Sequence, residues 1–110
     1  MAYDEALAER IRELVAEEQN VTEKKMFGGL AFLVGGNMAI AASGQGGALV
    51  RVDPDATEKL LATTDARPFE MRGREMAGWL RVDTEHLRTK RQLGKWVRLG
   101  VAYAGSLPAK

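Results

Sequence analysis

The sequence predicts an α+β fold, and three features of its 110 residues indicate this class. Apolar residues recur at helical spacing near both ends of the chain. Between these ends, short strand-like runs are separated by glycine-rich turns. Strands do not alternate with helices as they do in parallel α/β proteins. We therefore expect a single domain over residues 1–110, with the order helix, three or four strands, helix, two strands, helix.

The first helix is predicted over residues 4–18. Leu7, Ile11, Leu14 and Val15 recur at intervals that place them on one side of a helix. Acidic residues stand in the first turn, where they interact favourably with the helix dipole. Asn20 is the expected end of the segment.

Four strands are expected next, at residues 21–26, 30–34, 38–42 and 48–52. The second run, Leu-Ala-Phe-Leu-Val, is apolar on both faces, which is typical of an inner strand of a sheet. Glycines mark a bulge or tight turn at residues 27–29, a hairpin turn at 35–37 and a loop at 43–47.

The second helix is predicted from its first residues, Asp53, Pro54 and Asp55. Aspartate caps free amides, proline suits the first helical position, and a further aspartate complements the dipole. This helix should end near residue 62. A hairpin of strands 67–71 and 76–82 then turns at residues 72–74. Thr89 and Gln92 have the spacing of a capping box, which predicts a last helix that ends near residue 106.

Composition excludes several kinds of chemistry. The chain has no cysteine and one histidine, His86, so it lacks the residues for thiolate catalysis and for a zinc site. No lysine-serine or lysine-threonine pair follows its glycines, as a phosphate-binding loop would require. We predict no cofactor, no metal and no catalytic residues. No apolar run is long enough to span a membrane, and no secretion signal is evident, so a cytoplasmic protein is expected.

Basic residues are concentrated in the last third of the chain, although the net charge is only +1. Arg72, Arg74 and Arg91 would contact phosphates if they shared a face with their basic neighbours. Trp96 lies on the apolar stripe of the last helix, which indicates a core residue rather than a base-stacking one. Nucleic-acid binding therefore stays open as an alternative function.

The most distinctive stretch of the sequence is Lys24-Lys25-Met26-Phe27-Gly28-Gly29. Its Met-Phe-Gly-Gly element resembles the start of the TfoX/Sxy amino-terminal domain. The similarity continues through the hairpin at 30–42 and through Met76-Ala77-Gly78-Trp79 to the last helix. The resemblance implies an α+β domain similar to secretion chaperones. Larger members of that family regulate natural competence, are thought to act with the cyclic-AMP receptor protein, and carry a further helical domain.

The leading hypothesis is a non-enzymatic adaptor that binds a protein partner linked to transcriptional regulation. Its predicted interaction residues are Lys24, Lys25, Met26, Phe27, Gly28, Gly29, Arg72, Arg74 and Arg91. Phe27 is either a binding anchor or a core residue beneath a bulge. Nucleic-acid binding, and a small-ligand binder or enzyme, are the alternatives.

A homodimer is compatible with all three functions. A broad sheet with few helices leaves an apolar face to be covered. Ala39, Ala41, Leu49 and Trp79 are the residues expected on that face.

Overall fold

Three helices and a six-stranded antiparallel sheet form the computed structural model of the chain, which describes residues 3–26 and 28–110. The helices are α1 (Glu5–Leu14), α2 (Thr57–Thr63) and α3 (Lys90–Ser106). The strands are β1 (Val21–Met26), β2 (Gly29–Val34), β3 (Asn37–Ala42), β4 (Ala48–Arg51), β5 (Arg67–Met71) and β6 (Arg74–Val82). The predicted α+β class and element order are confirmed, with four strands before α2.

The strands lie in the order β1-β2-β3-β4-β6-β5, so β1 and β5 are the two edges of the sheet. The predicted inner position of β2 is confirmed. β6 pairs with β4 as well as with β5, and this places the second hairpin next to the first four strands. Edge β1 carries exposed charged side chains, a common protection of edges against pairing with other chains.

The core lies between one face of the sheet and the helices. Phe32, Ile40, Val50 and Leu80 occupy matching positions on four adjacent strands, and each is at most 1% exposed. Leu7 and Ile11 of α1 belong to the same apolar cluster, as do Leu93, Trp96 and Val97 of α3. The prediction that Trp96 is a core residue is confirmed, since it is 4% exposed.

Helix α3 approaches strand β3 closely at Gly100. A Cβ atom at this position would lie 2.4 Å from the carbonyl oxygen of Ala39, so only glycine allows the contact. Ala39 is consequently fully buried, and the expectation that it lies on an open face is wrong. Ala41 is also buried, whereas Leu49 and Trp79 are half-buried.

Several boundaries differ from the predictions. Helix α1 ends at Leu14, four residues before the predicted end, because residues 16–20 are all exposed and have no core contact to hold them helical. A 3-10 turn, Pro54–Ala56, precedes α2. Strand β6 begins at Arg74, so the turn of the second hairpin has two residues. Similarly, Asn37 begins β3 and is not part of the preceding turn.

The two ends of α3 have well-defined contacts. The predicted capping box is present: the Thr89 side chain accepts from the Gln92 amide and the Gln92 side chain accepts from the Thr89 amide, both at 3.0 Å. Beyond the helix, the Lys110 amide donates to the Gly35 carbonyl at 2.8 Å, and buried Asn37 donates to the Pro108 carbonyl at 3.0 Å. The carboxyl end of α3 therefore lies beside the β2–β3 turn.

Candidate functional site

A groove lies between the α2 region and the β5–β6 hairpin, and capping interactions fix its first wall. The Asp53 side chain accepts from the Asp55 amide at 2.9 Å and begins the 3-10 turn that leads into α2. In the first turn of α2, the Thr57 hydroxyl accepts from the Gly78 amide of β6 at 2.8 Å. Thr57 is 8% exposed, so this hydrogen bond attaches α2 to β6 away from water.

The second wall is a bulge in β6. Pro68 pairs with Leu80 and Glu70 pairs with Glu75, so a step of two residues on β5 faces a step of five on β6. Residues 76–79 supply the excess length. Gly78 makes this possible because its φ is 88° and because a Cβ atom there would lie 3.2 Å from both the Pro54 side chain and the Val52 carbonyl.

The groove has a volume of about 440 Å³ and combines apolar walls with an acidic rim. Its apolar lining residues are Pro54, Leu61, Pro68, Met76, Ala77 and Trp79. Its carboxylates are Asp55, Glu58 and Glu75, and all three residues are exposed. Such a surface suits a segment that carries both apolar and basic side chains.

Stacking against Arg51 holds Trp79 in place. The Arg51 guanidinium carbon lies 5.1 Å from the centroid of the Trp79 ring and 5.6 Å from that of Tyr103 in α3. These are cation–π distances. Trp79 is half-buried, so it is a fixed aromatic surface in the groove rather than a fully enclosed core residue.

The tip of the β5–β6 hairpin is the most exposed apolar feature of the described residues. Met71 is 43% exposed and Met76 is 37% exposed, and they are the only exposed large hydrophobic residues in residues 3–26 and 28–110. Met76 also lines the groove, so tip and groove form one continuous surface. We name the surface formed by Met71, Arg72, Arg74 and the groove the hairpin surface.

The turn at the tip has an unusual residue. Arg72 and Gly73 have φ values of 55° and 79°, as in the mirror-image turns that join two-residue hairpins. Asparagine, aspartate or glycine usually occupies the first of these positions, because a larger side chain resists positive φ. Arg72 is exposed, and its positive φ lowers the stability of the turn.

The charged side chains near the tip of the hairpin have no salt-bridge partner among residues 3–26 and 28–110. Glu70 and Glu75 stand directly opposite each other, an arrangement that destabilises a hairpin. Among the described residues, neither carboxylate, nor Arg72 or Arg74, forms a salt bridge. By contrast, Arg67 at the base of the hairpin donates to Asp83 at 2.7 Å and 3.0 Å.

The structure places the predicted interaction stretch at the other edge of the sheet. Lys24 and Lys25 are exposed on β1, and strand alternation directs them to opposite faces. Met26 is half-buried and pairs with Gly29, so the chain reverses between them. Gly28 is exposed and has a φ of 78°. The question of whether Phe27 is an anchor or a core residue concerns a position outside the described residues.

Gly29 has a structural explanation that is independent of any partner. A Cβ atom there would lie 2.4 Å from the carbonyl oxygen of Ala42 and 3.1 Å from the amide nitrogen of Gly44. The second glycine of the Met-Phe-Gly-Gly element thus allows β2 to pack against the end of β3.

The predicted basic residues do not form one patch. Arg72 and Arg74 lie at the hairpin tip, on the sheet edge opposite β1, which is roughly 24 Å away across five strand spacings of about 4.8 Å. Arg91 lies in the first turn of α3, beyond the far end of β6, while the carboxyl end of α3 returns to the β2–β3 turn. The predicted cations therefore lie in three separate places: on β1, at the hairpin tip and at the start of α3.

Met71, Met76 and the carboxylates of the groove were not among the interaction residues predicted from the sequence. A detectable signal was present, since Met71-Arg-Gly-Arg-Glu-Met76 places two apolar residues beside a tight, charged turn. The groove had no comparable local signal, because it requires the contact between Thr57 and Gly78, which are 21 residues apart.

In residues 3–26 and 28–110, no group of three or more metal-ligating side chains lies together. None of the helices described has the length and apolar character needed to cross a bilayer. His86 lies half-buried in a short 3-10 turn, and its Nδ1 atom is 3.5 Å from a carboxylate oxygen of Asp65.

Comparison with known proteins gives the family. A search of curated proteins found no match. The model of the TfoX N-terminal domain family matches residues 13–104, which include all six strands, α2 and most of α3. This match spans most of the 110 residues and agrees with the observed α+β fold. The chain therefore belongs to the TfoX N-terminal domain family.

Proposed function

We propose that this chain is a non-enzymatic protein-interaction module that binds a partner through the hairpin surface. The observation that carries the proposal is the exposure of Met71 and Met76 beside the groove. Exposed apolar side chains that form a continuous patch with an apolar groove are typical of an interaction site. Methionine adapts to irregular partner surfaces because its side chain is unbranched and polarizable.

The groove indicates the chemistry of the partner. Trp79, fixed by Arg51, offers an aromatic surface of the kind that is enriched in binding hot spots. Around it, Asp55, Glu58 and Glu75 favour a segment with lysine or arginine next to an apolar residue. Family membership supports a role as an adaptor in transcriptional regulation, with a regulatory protein as the partner.

Affinity capture from lysate of the source cells, with and without nuclease, tests this function. We expect one protein to be recovered under both conditions. Recovery should fall at least tenfold with Met71→Ser and Met76→Ser combined, since roughly 1.4 kcal/mol of lost binding energy suffices. Both methionines are exposed, so the variant should melt at the wild-type temperature.

A matched variant at the opposite edge, Lys24→Glu with Lys25→Glu, separates the alternatives. The proposal expects this variant to retain the partner, because β1 is distant from the hairpin surface. Loss of the partner in the lysine variant alone would place recognition at β1 and refute the proposal. Recovery that disappears with nuclease would indicate binding to nucleic acid instead.

A further inference from the structure

We propose that the hairpin tip of one copy of this chain docks in the groove of a second copy, forming a two-fold symmetric dimer. The inference rests on the proposed function because both use the hairpin surface, and a second copy then competes with the protein partner for that surface. In the dimer, the tip residues Met71, Arg72 and Arg74 of each copy meet the groove of the other.

Charge complementarity identifies the second copy as the occupant. The tip carries two cations, Arg72 and Arg74, and the groove carries three carboxylates. One chain thus contains both a basic apolar segment and the acidic apolar groove that suits such a segment. Long-range attraction between the two surfaces accelerates encounter and favours this orientation.

The position of the two surfaces allows closed symmetry. Arg74 begins β6, and Met76 of the same strand already lines the groove, so tip and groove are adjacent. A two-fold axis between them brings each tip to the other copy's groove and creates two identical contacts. Both tips and both grooves are then occupied, and the assembly stops at two chains.

Two unfavourable features of the β5–β6 hairpin in the single chain would be relieved by contact with a second copy. Glu70 and Glu75 stand opposite each other without a cation in salt-bridge range among the described residues. An arginine from a second copy would relieve their repulsion. The positive φ of Arg72 opposes folding of the free hairpin, and a role for its guanidinium in the dimer gives a reason for that residue.

Sedimentation equilibrium of the full chain with two charge-reversed variants tests the dimer. The tip variant is Arg72→Glu with Arg74→Glu, and the groove variant is Glu58→Lys with Glu75→Lys. Wild type should show a monomer–dimer equilibrium between roughly 1 µM and 1 mM. Each variant alone should associate at least about tenfold more weakly, because its tip and groove then carry like charges.

Mixing the two variants gives the strongest test. The acidic tip of one variant meets the basic groove of the other, and the remaining tip and groove keep their native signs. The equimolar mixture should therefore recover association to within roughly threefold of wild type. Circular dichroism melting establishes that each variant is folded, and Lys24→Glu with Lys25→Glu, at the far edge, should dimerise normally.

Three results would overturn the dimer: a wild-type chain that stays monomeric to the highest concentration, variants that dimerise as well as wild type, or a mixture that stays monomeric. These results are distinguishable from failure of the proposed function. A monomeric wild type that loses its captured protein when Met71 and Met76 are replaced refutes the dimer only. A dimer that responds to charge as expected, without any captured protein, refutes the proposed function only.

Discussion

The two edge hairpins of the sheet are under different structural constraints. β1–β2 contains the Met-Phe-Gly-Gly element and β5–β6 contains Met-Arg-Gly-Arg-Glu-Met. In the first hairpin, Gly29 is buried against the backbone of Ala42. In the second, a Cβ atom at Gly73 would have no neighbour within 4 Å, and the flanking methionine and arginine side chains are exposed.

The first hairpin contains a residue that the fold requires, whereas the second contains a residue that the fold does not explain. A glycine required by a backbone contact is explained by the fold alone, so Gly29 carries no information about partners. An arginine with positive φ beside exposed methionines is not explained by the fold, because other residues would stabilise that turn better. The most recognisable stretch of the sequence and the most exposed apolar surface therefore lie at opposite edges.

The largest expected change in stability comes from replacing a glycine with alanine in each hairpin and comparing the two variants. Gly29→Ala should lower the free energy of unfolding by about 1–3 kcal/mol or more, because its Cβ would overlap a backbone oxygen that cannot move aside alone. Gly73→Ala adds no steric contact and should cost about 1 kcal/mol, from positive φ alone. Urea denaturation of both variants measures the difference. Equal losses would mean that Gly29 is not under a steric constraint.

A smaller change in stability, this time an increase, is expected from a substitution in the turn of the β5–β6 hairpin. Arg72→Asn should raise the free energy of unfolding by a few tenths to about 1 kcal/mol, because asparagine tolerates positive φ. The same variant should weaken dimerisation. Thermal melting and sedimentation of one preparation would show both changes. A variant that is less stable than wild type would contradict the interpretation of the turn as strained.

Local signals account for what the sequence predicted well. The capping box at Thr89 and Gln92 and the stripe that contains Trp96 involve residues close in sequence, and α3 begins and ends near the predicted positions. The strand runs and their glycine turns are equally local. For the same reason the α+β class and the element order followed from sequence.

Features that depend on distant contacts were not predictable. The sheet order requires β4 to pair with β6 across α2, and nothing in either strand specifies that partner. The burial of Ala39 depends on Gly100, which is 61 positions away. The groove likewise requires Gly78 to reach Thr57. Of the predicted interaction residues, only Arg72 and Arg74 belong to the hairpin surface, and their role in binding stays a prediction.

The smallest expected change in stability comes from two ion pairs, one at each edge hairpin. Arg12 of α1 donates to Glu23 of β1 at 2.6 Å and 2.8 Å, and these hydrogen bonds lower the Glu23 pKa below its ordinary value of 4.5. At the other edge, hydrogen bonds from Arg67 lower the Asp83 pKa below 3.8. A carboxylate with a lowered pKa stabilises the fold above its ordinary pKa, and this contribution is lost as the pH falls further.

Melting temperature should therefore decline as the pH falls below about 4.5, with Glu23 contributing first and Asp83 at lower pH. Glu23→Gln and Asp83→Asn should each remove a small part of this decline, because exposed pairs contribute little. Differential scanning calorimetry from about pH 3 to pH 6 measures the slopes. If Glu23→Gln left the slope unchanged while Asp83→Asn flattened it, only the β5–β6 hairpin would be held by its ion pair. The first hairpin would then depend on its strand pairing and on the packing of Gly29 rather than on its ion pair, which would sharpen the contrast between the two edges.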